Sequence, residues 1–374
     1  MSAKRTFLAF LVYHVTFGYL LIAIMTSRFT SLGAPLTALR DAWIVLALSL
    51  FVLYRQSSSL LFVLLSVLFG LVGSLDGTLP FNALVFLYGL RDVIFLATVV
   101  FLLRLEAESF SQIGGMKFFV LICAALSFSE ILLQWFGFNA VADAIFASSD
   151  YFSAKGIESN VSGGLLGARV TAPLYSASLI ATLYASYAFF LRSNLALRAV
   201  FFLISLSTLS KVVPFITYFA MFRRFPLTSS LVALGAVFFS YRLLLDLSES
   251  HSGTLYSQHI ASILDRYNAF FMFPDFEDLI FPRPLGYSSI AGHVLNGLNA
   301  ADAPESLILS KIYDFGIWTF FCAFFLFFSA RRISRRYLAF LISFLFLQLF
   351  SSLSNHLVAF VPVIVLLKQS EEKL

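Results

Sequence analysis

The sequence predicts an all-α fold, a polytopic membrane bundle of about 12 transmembrane helices with one large outer loop late in the chain. Three observations predict it. The chain carries more apolar surface than a soluble core can hide, its apolar residues fall in runs of helix-spanning size, and its basic residues collect at the ends of those runs.

The apolar excess comes first. Of 374 residues, 60% are hydrophobic and 12% charged, and mean hydropathy is +0.90. A soluble domain of this length cannot bury such a fraction, so lipid is the solvent. Phe occurs 46 times in long mixed apolar stretches. Barrel strands would alternate apolar and polar residues with period two, so the pattern favours helices.

The apolar runs lie at about 6–26, 42–54, 59–73, 81–103, 118–134, 171–191, 199–210, 212–222, 228–246, 306–329, 337–355 and 356–368. Several fall short of the ~20 residues of a free-standing span. Short runs beside polar breaks suit tilted helices, broken helices or helices lining a cavity. The first run has no small-residue cleavage site after it and reads as a retained helix rather than a signal peptide.

Orientation follows from Lys and Arg. With Lys4 and Arg5 inside, alternating spans bring Arg55, Arg104, Lys117, Arg192, Arg198, Arg223, Arg224, Arg331, Arg332, Arg335, Arg336, Lys368 and Lys373 to the same, cytoplasmic side. Both termini are then cytoplasmic, and Arg28 and Arg40 in the first outer loop are exceptions. The outer side holds two long segments, 135–170 and 247–305. No internal repeat or domain boundary is visible, so 1–374 reads as a single membrane domain with two outer loops.

Composition also excludes. The net charge of +5 sits at segment ends, without a basic patch interleaved with aromatics, and no nucleic acid is expected as partner. The histidines are scattered and no His/Cys/Asp cluster has metal-ligand spacing, so neither a metal nor a cofactor is expected. Cys123 and Cys322 fall inside apolar runs and read as small packed hydrophobes.

Four polar features stand out. Gly163-Gly164-Leu165-Leu166-Gly167-Ala168-Arg169 opens an apolar helix at the outer face; Arg169 has the planar donor fork that binds phosphate, or it snorkels to lipid head groups. Lys211 interrupts an apolar stretch from Ala199 to Phe222, either as a functional charge at membrane depth or as a tight outer turn between two short helices, the second opening near Pro214. Arg266 and Arg283 lie in the late loop, the latter before a Leu285-Gly286 turn; nearby Asp265, Asp275, Glu277 and Asp278 would equally make them ordinary solvated pairs. Asp302-Ala303-Pro304-Glu305 reads as a helix start, with Pro304 at the first position, Asp302 or Ala303 capping, and Glu305 in the first turn. A carboxylate there also suits a general base. Within the membrane, Arg91-Asp92 reads as a buried pair holding helices together, and Arg242 and Asp246 as an i, i+4 pair.

These features, in this order, resemble the bacterial O-antigen polymerase and O-antigen ligase family. Gly167-Ala168-Arg169 through Pro173 matches its Gly/Arg stretch, and Thr208-Leu209-Ser210-Lys211 its Thr-x-Ser-Arg helix end, with Lys for Arg. Arg266 and Leu285-Gly286-Tyr287-Ser288 match its Arg and Leu-Gly-x-Gly turn, without the second Gly. Counting back from Gly316 places Glu305-Ser306 where the family carries a His-Asn pair. The likeness covers roughly 160–330.

The resemblance implies a glycosyltransferase in the bacterial inner membrane, acting with a polyprenyl-pyrophosphate-linked glycan at the periplasmic face. Ligases carry His where Glu305 stands, so the acid points to a polymerase that joins oligosaccharide repeat units. Arg169, Lys211, Arg266 and Arg283 would hold the pyrophosphate, and Glu305, with Asp302 as fallback, would act as base. Expected partners are the lipid-linked glycan, membrane lipid, and a chain-length regulator or flippase of the same pathway. Alternatives are a ligase passing glycan to a lipid core, a transporter or flippase of lipid-linked sugars, and a non-enzymatic assembly partner.

Overall fold

A computed structural model of the chain describes residues 3–28, 33–75, 81–138, 141, 174, 177–191, 194–208, 210, 212–225, 227–236, 280–297, 306–350 and 357–372. Among the described residues all regular structure is helical. In chain order the helices are α1 (Ala3–Tyr13), a π segment (His14–Gly18), α2 (Tyr19–Arg28), α3 (Gly33–Asp41), α4 (Trp43–Leu53), α5 (Ser57–Leu75) and α6 (Ala83–Arg104). A 3-10 turn (Ala107–Phe110) leads to α7 (Met116–Trp135), α8 (Ala177–Phe190), α9 (Leu195–Ser207), α10 (Val212–Met221) and α11 (Leu227–Ala236). The last five are α12 (Ile290–Leu295), α13 (Leu307–Phe315), α14 (Trp318–Ala330), α15 (Arg335–Phe350) and α16 (Leu357–Glu372).

Among the described residues four helical stretches are long and apolar enough to cross a membrane: Ala3–Ile22, Ser57–Leu75, Ala83–Arg104 and Met116–Trp135. They coincide with the runs at 6–26, 59–73, 81–103 and 118–134. The other apolar helices are shorter. The outer segments 135–170 and 247–305 lie mostly outside the described residues.

Two details differ from the run pattern. The run at 306–329 is two helices, because Gly316 adopts φ 55° and ψ −134° and ends α13, a conformation that glycine accepts without a Cβ penalty. The start of this region also differs: α13 begins at Leu307, and its cap is Ser306, whose side chain accepts from the Leu309 amide at 3.1 Å. The helix start read at Asp302-Ala303-Pro304-Glu305 lies outside the described residues.

The chain divides into two compact units. Unit 1 comprises Met1–Tyr54, Leu105–Met221 and His356–Leu374. Its centre is α8 and α16, whose side chains are buried over most of their length. Tyr184 of α8 shares a 2.9 Å hydrogen bond with Ser127 of α7 and stacks on Phe201 of α9. Arg5 pairs with Glu108 at 2.5 Å, while Gln369 donates to the Phe110 and Ile113 carbonyls. The start of α1 and the end of α16 thus meet at the 3-10 turn, at one end of the unit. Thr208 terminates α9 and α10 opens at Val212, with Pro214 in its first turn; the break expected near Lys211 is present.

Unit 2 comprises Arg55–Arg104 and Phe222–Asn355. Here α5 and α14 run antiparallel: Ser58 and Ser329 share a 2.5 Å hydrogen bond at one end, and Phe69 stacks on Trp318 at the other. Helix α6 is buried on every face from Arg91 to Leu103, as the central helix of a bundle must be. Phe95 packs it against Phe344 of α15. Arg55, Arg104, Arg331, Arg332 and Arg335 gather at the Ser58–Ser329 end, where Arg104 donates to Gln56 at 2.6 Å. This is the basic end of unit 2.

Candidate functional site

At the opposite end of unit 2, the segment Arg283–Ser289 folds as a tight loop against α5 and α6. Its sequence dictates the shape. Pro282 and Pro284 flank Arg283 and disfavour helix, Gly286 supplies φ 85°, and Ser289 caps α12 by accepting from the Gly292 amide at 2.9 Å. The loop sits backbone-close on its neighbours. A Cβ placed on Gly89 of α6 would stand 2.5 Å from the Gly286 nitrogen, and one on Gly70 of α5 would stand 2.5 Å from the Leu285 Cβ. Glycine at these helix positions is what admits the loop.

Asp314, near the end of α13, holds the loop in place. Its carboxylate accepts the Gly286 amide at 2.9 Å and the Ser288 amide at 2.8 Å. Its own carbonyl accepts the Arg283 amide at 2.6 Å. Asp314 is fully buried, so its charge must be compensated inside the protein. Lys311, one turn earlier on α13, donates to it at 3.1 Å. The same ammonium lies 3.7 Å from Asp92 of α6. All three side chains are buried. Arg91 packs its guanidinium over the Tyr88 ring, 4.4 Å from the centroid, which brings the formal charge of the group to zero.

The expectation of a buried pair at Arg91-Asp92 thus resolves into a larger cluster, in which Asp92 ties α6 to Lys311 of α13. Lys311 and Asp314 were not singled out in the sequence. Their signal is the i, i+3 placement of opposite charges inside an apolar run, where ionisable residues are costly and therefore informative.

Of the site residues read from the sequence, Arg283 is the one within the described residues. It stands on the Asp314-held loop, half-buried and close enough to influence Tyr313 of α13. Arg169, Lys211, Arg266, Asp302 and Glu305 lie outside the described residues, as do Arg242 and Asp246. Among the described residues no group of three or more His, Cys, Asp or Glu could hold a metal ion.

Unit 2 also contains a partly open cavity of about 230 Å³ between α5, α6, α13, α14 and α15. Phe62 and Ser66 line it from α5, and Val93, Leu96 and Val100 from α6. Lys311 and Phe315 of α13 close one end, beside the charge cluster. The polar groups on the wall are internally satisfied: Ser66 donates to the Phe62 carbonyl and Thr319 to the Lys311 carbonyl. The exposed wall is therefore hydrocarbon. No family model, curated protein or solved structure matches this chain.

Proposed function

We propose that this protein is a polymerase that joins lipid-linked oligosaccharide repeat units into a surface polysaccharide, with polyprenyl pyrophosphate as leaving group. The observation that carries this reading is the Arg283–Ser289 loop, held by Asp314 at the end of unit 2 remote from Arg55, Arg104, Arg331, Arg332 and Arg335. If the basic end is cytoplasmic, the loop faces outward, at the level where a lipid-linked diphosphate presents itself. In this reading about 12 spans cross the bacterial inner membrane, both termini are cytoplasmic, and the segment 247–305 is periplasmic.

The chemistry balances without a further reactant. The acceptor hydroxyl attacks the anomeric carbon of the donor sugar, and the bond from that carbon to the pyrophosphate oxygen breaks. The electron pair leaves with the diphosphate, and the hydroxyl proton passes to Glu305, with Asp302 as the alternative base. Arg283, Arg169, Lys211 and Arg266 supply cations that stabilise the growing negative charge. The preorganised part of this set is Arg283, because its backbone is fixed by the Asp314 carbonyl.

Polymer formation in vesicles supplied with a lipid-linked repeat unit tests the proposal. Glu305→Gln and Arg266→Ala abolish polymer at equal protein level if the assignment is right; full activity in both removes the proposed roles. A second reading, a carrier of lipid-linked sugars, is favoured by one observation, the buried Asp92–Lys311–Asp314 cluster at membrane depth. It requires flux of the lipid-linked sugar without polymer.

A further inference from the structure

We propose that unit 2 holds one anionic phospholipid, its phosphate on the basic end of the unit and one acyl chain in the cavity. The proposal goes beyond the polymerase reading and does not rest on it.

The cavity has a direction. On α14 its wall is one helical stripe from Thr319 to Ala330. The stripe starts beside buried Lys311, and Ala330 at its other end is part-exposed. The chain then passes directly into Arg331 and Arg332, both exposed. Arg104 of α6 comes from the other side, close enough to Arg332 for the two like charges to act on each other. Among the described residues of unit 2, the carboxylates are Asp92 and Asp314, both at the far end and both engaged by Lys311. Glu106 follows Arg104 by two positions but belongs to unit 1. Guanidinium groups gathered without a carboxylate of their own unit match a phosphate, which Arg grips through paired donors.

Length selects the occupant. From Thr319 to Ala330 the stripe covers about 16 Å at helical rise. Half of a bilayer hydrocarbon core is about 15 Å, so one acyl chain of the leaflet on the basic side matches the stripe in length. Its head group then stands at the arginines, where acidic lipids are attracted. The head-group end is separate from the loop of the proposed chemistry: Arg104 and Asp92 are about 18 Å apart along α6.

Lipid retention measured by native mass spectrometry of the purified full chain tests the idea. The probes are phosphatidylglycerol and phosphatidylcholine with identical acyl chains. The parent retains phosphatidylglycerol about tenfold more strongly, Arg331→Gln with Arg332→Gln brings the two to parity, and Ala323→Trp, which fills the cavity, lowers retention of both. Equal retention of the two lipids by the parent overturns the proposal, as does full retention by a folded Ala323→Trp variant. Should Ala323→Trp fail to fold, photo-crosslinking of the parent decides. Phosphatidylglycerol bearing a photoactivatable acyl chain marks the α14 stripe if the chain enters the cavity; marks confined to other helices overturn it. Displacement of bound lipid by polyprenyl phosphate but not by added phosphatidylglycerol assigns the cavity to the wrong lipid and also overturns it. Polymer formation is a separate readout, so the two proposals fail independently.

Discussion

The Asp314 carboxylate accepts the Gly286 amide hydrogen at 2.9 Å, across 28 residues of chain. That bond converts a polar segment into a fixed loop. A carboxylate that would be intolerable alone in a bundle core is stabilised by two amides of the loop and by Lys311, and the loop in turn gains a buried anchor. Charge compensation inside unit 2 and the shape of its candidate site are one arrangement.

The first prediction concerns that arrangement. Lys311→Met leaves Asp92 and Asp314 facing each other without their shared cation, and costs about 3–5 kcal/mol. Adding Asp92→Leu restores part of the loss, because replacing both partners of a buried pair is far cheaper than removing one. Equilibrium unfolding in detergent measures both. Additive losses would show that Asp92 and Lys311 do not depend on each other.

Gly286 has a positive φ, and a Cβ there would run into the α6 backbone at Val85 and Gly89. Gly286→Ala therefore costs more than about 1 kcal/mol. Gly235 of α11 is the control, since a Cβ there meets nothing, and Gly235→Ala is neutral or stabilises by up to about 1 kcal/mol. Thermal unfolding of the two variants, side by side, checks this.

Arg283 is placed by its backbone, so its side chain can be changed without dismantling the loop. Arg283→Ala lowers polymer formation about 100-fold while leaving the unfolding midpoint within error, and Arg283→Lys recovers part of the rate by keeping the charge but not the fork. A loss of stability equal to that of the Gly286→Ala variant would make Arg283 a structural residue instead.

Tyr184 and Ser127 of unit 1 are both buried and bonded to each other. Tyr184→Phe removes the hydrogen bond to Ser127 and costs about 1 kcal/mol; in the Ser127→Ala background the same change costs less. A double-mutant cycle on unfolding free energy reads the difference.

Both cysteines are free and buried. A bulky water-soluble maleimide labels neither in the native protein and both after unfolding, and a reductant leaves the unfolding midpoint unchanged. Mass shifts before and after denaturation give the answer.

Fold class was legible because it depends on quantities that a linear chain displays: apolar excess, run length and the placement of Arg and Lys. The bilayer imposes these residue by residue, and the helices at Ser57–Leu75, Ala83–Arg104 and Met116–Trp135 lie where the apolar runs lie. The turn at Leu285-Gly286 was legible for the same local reason, since Pro and Gly restrict a backbone regardless of what surrounds it. The split of 306–329 at Gly316 was not, because a glycine inside an apolar run is compatible with a continuous helix until its neighbours pack. Nor was Asp314. A lone acid in Tyr313-Asp314-Phe315 has no partner within its own helix except Lys311, and nothing in a local pattern says that two amides from a distant loop complete its shell. Hydropathy acts on each residue separately and can be read along the chain. The partners of a buried charge are chosen by packing, and only the folded bundle brings Asp92, Lys311, Asp314 and Gly286 within reach of one another.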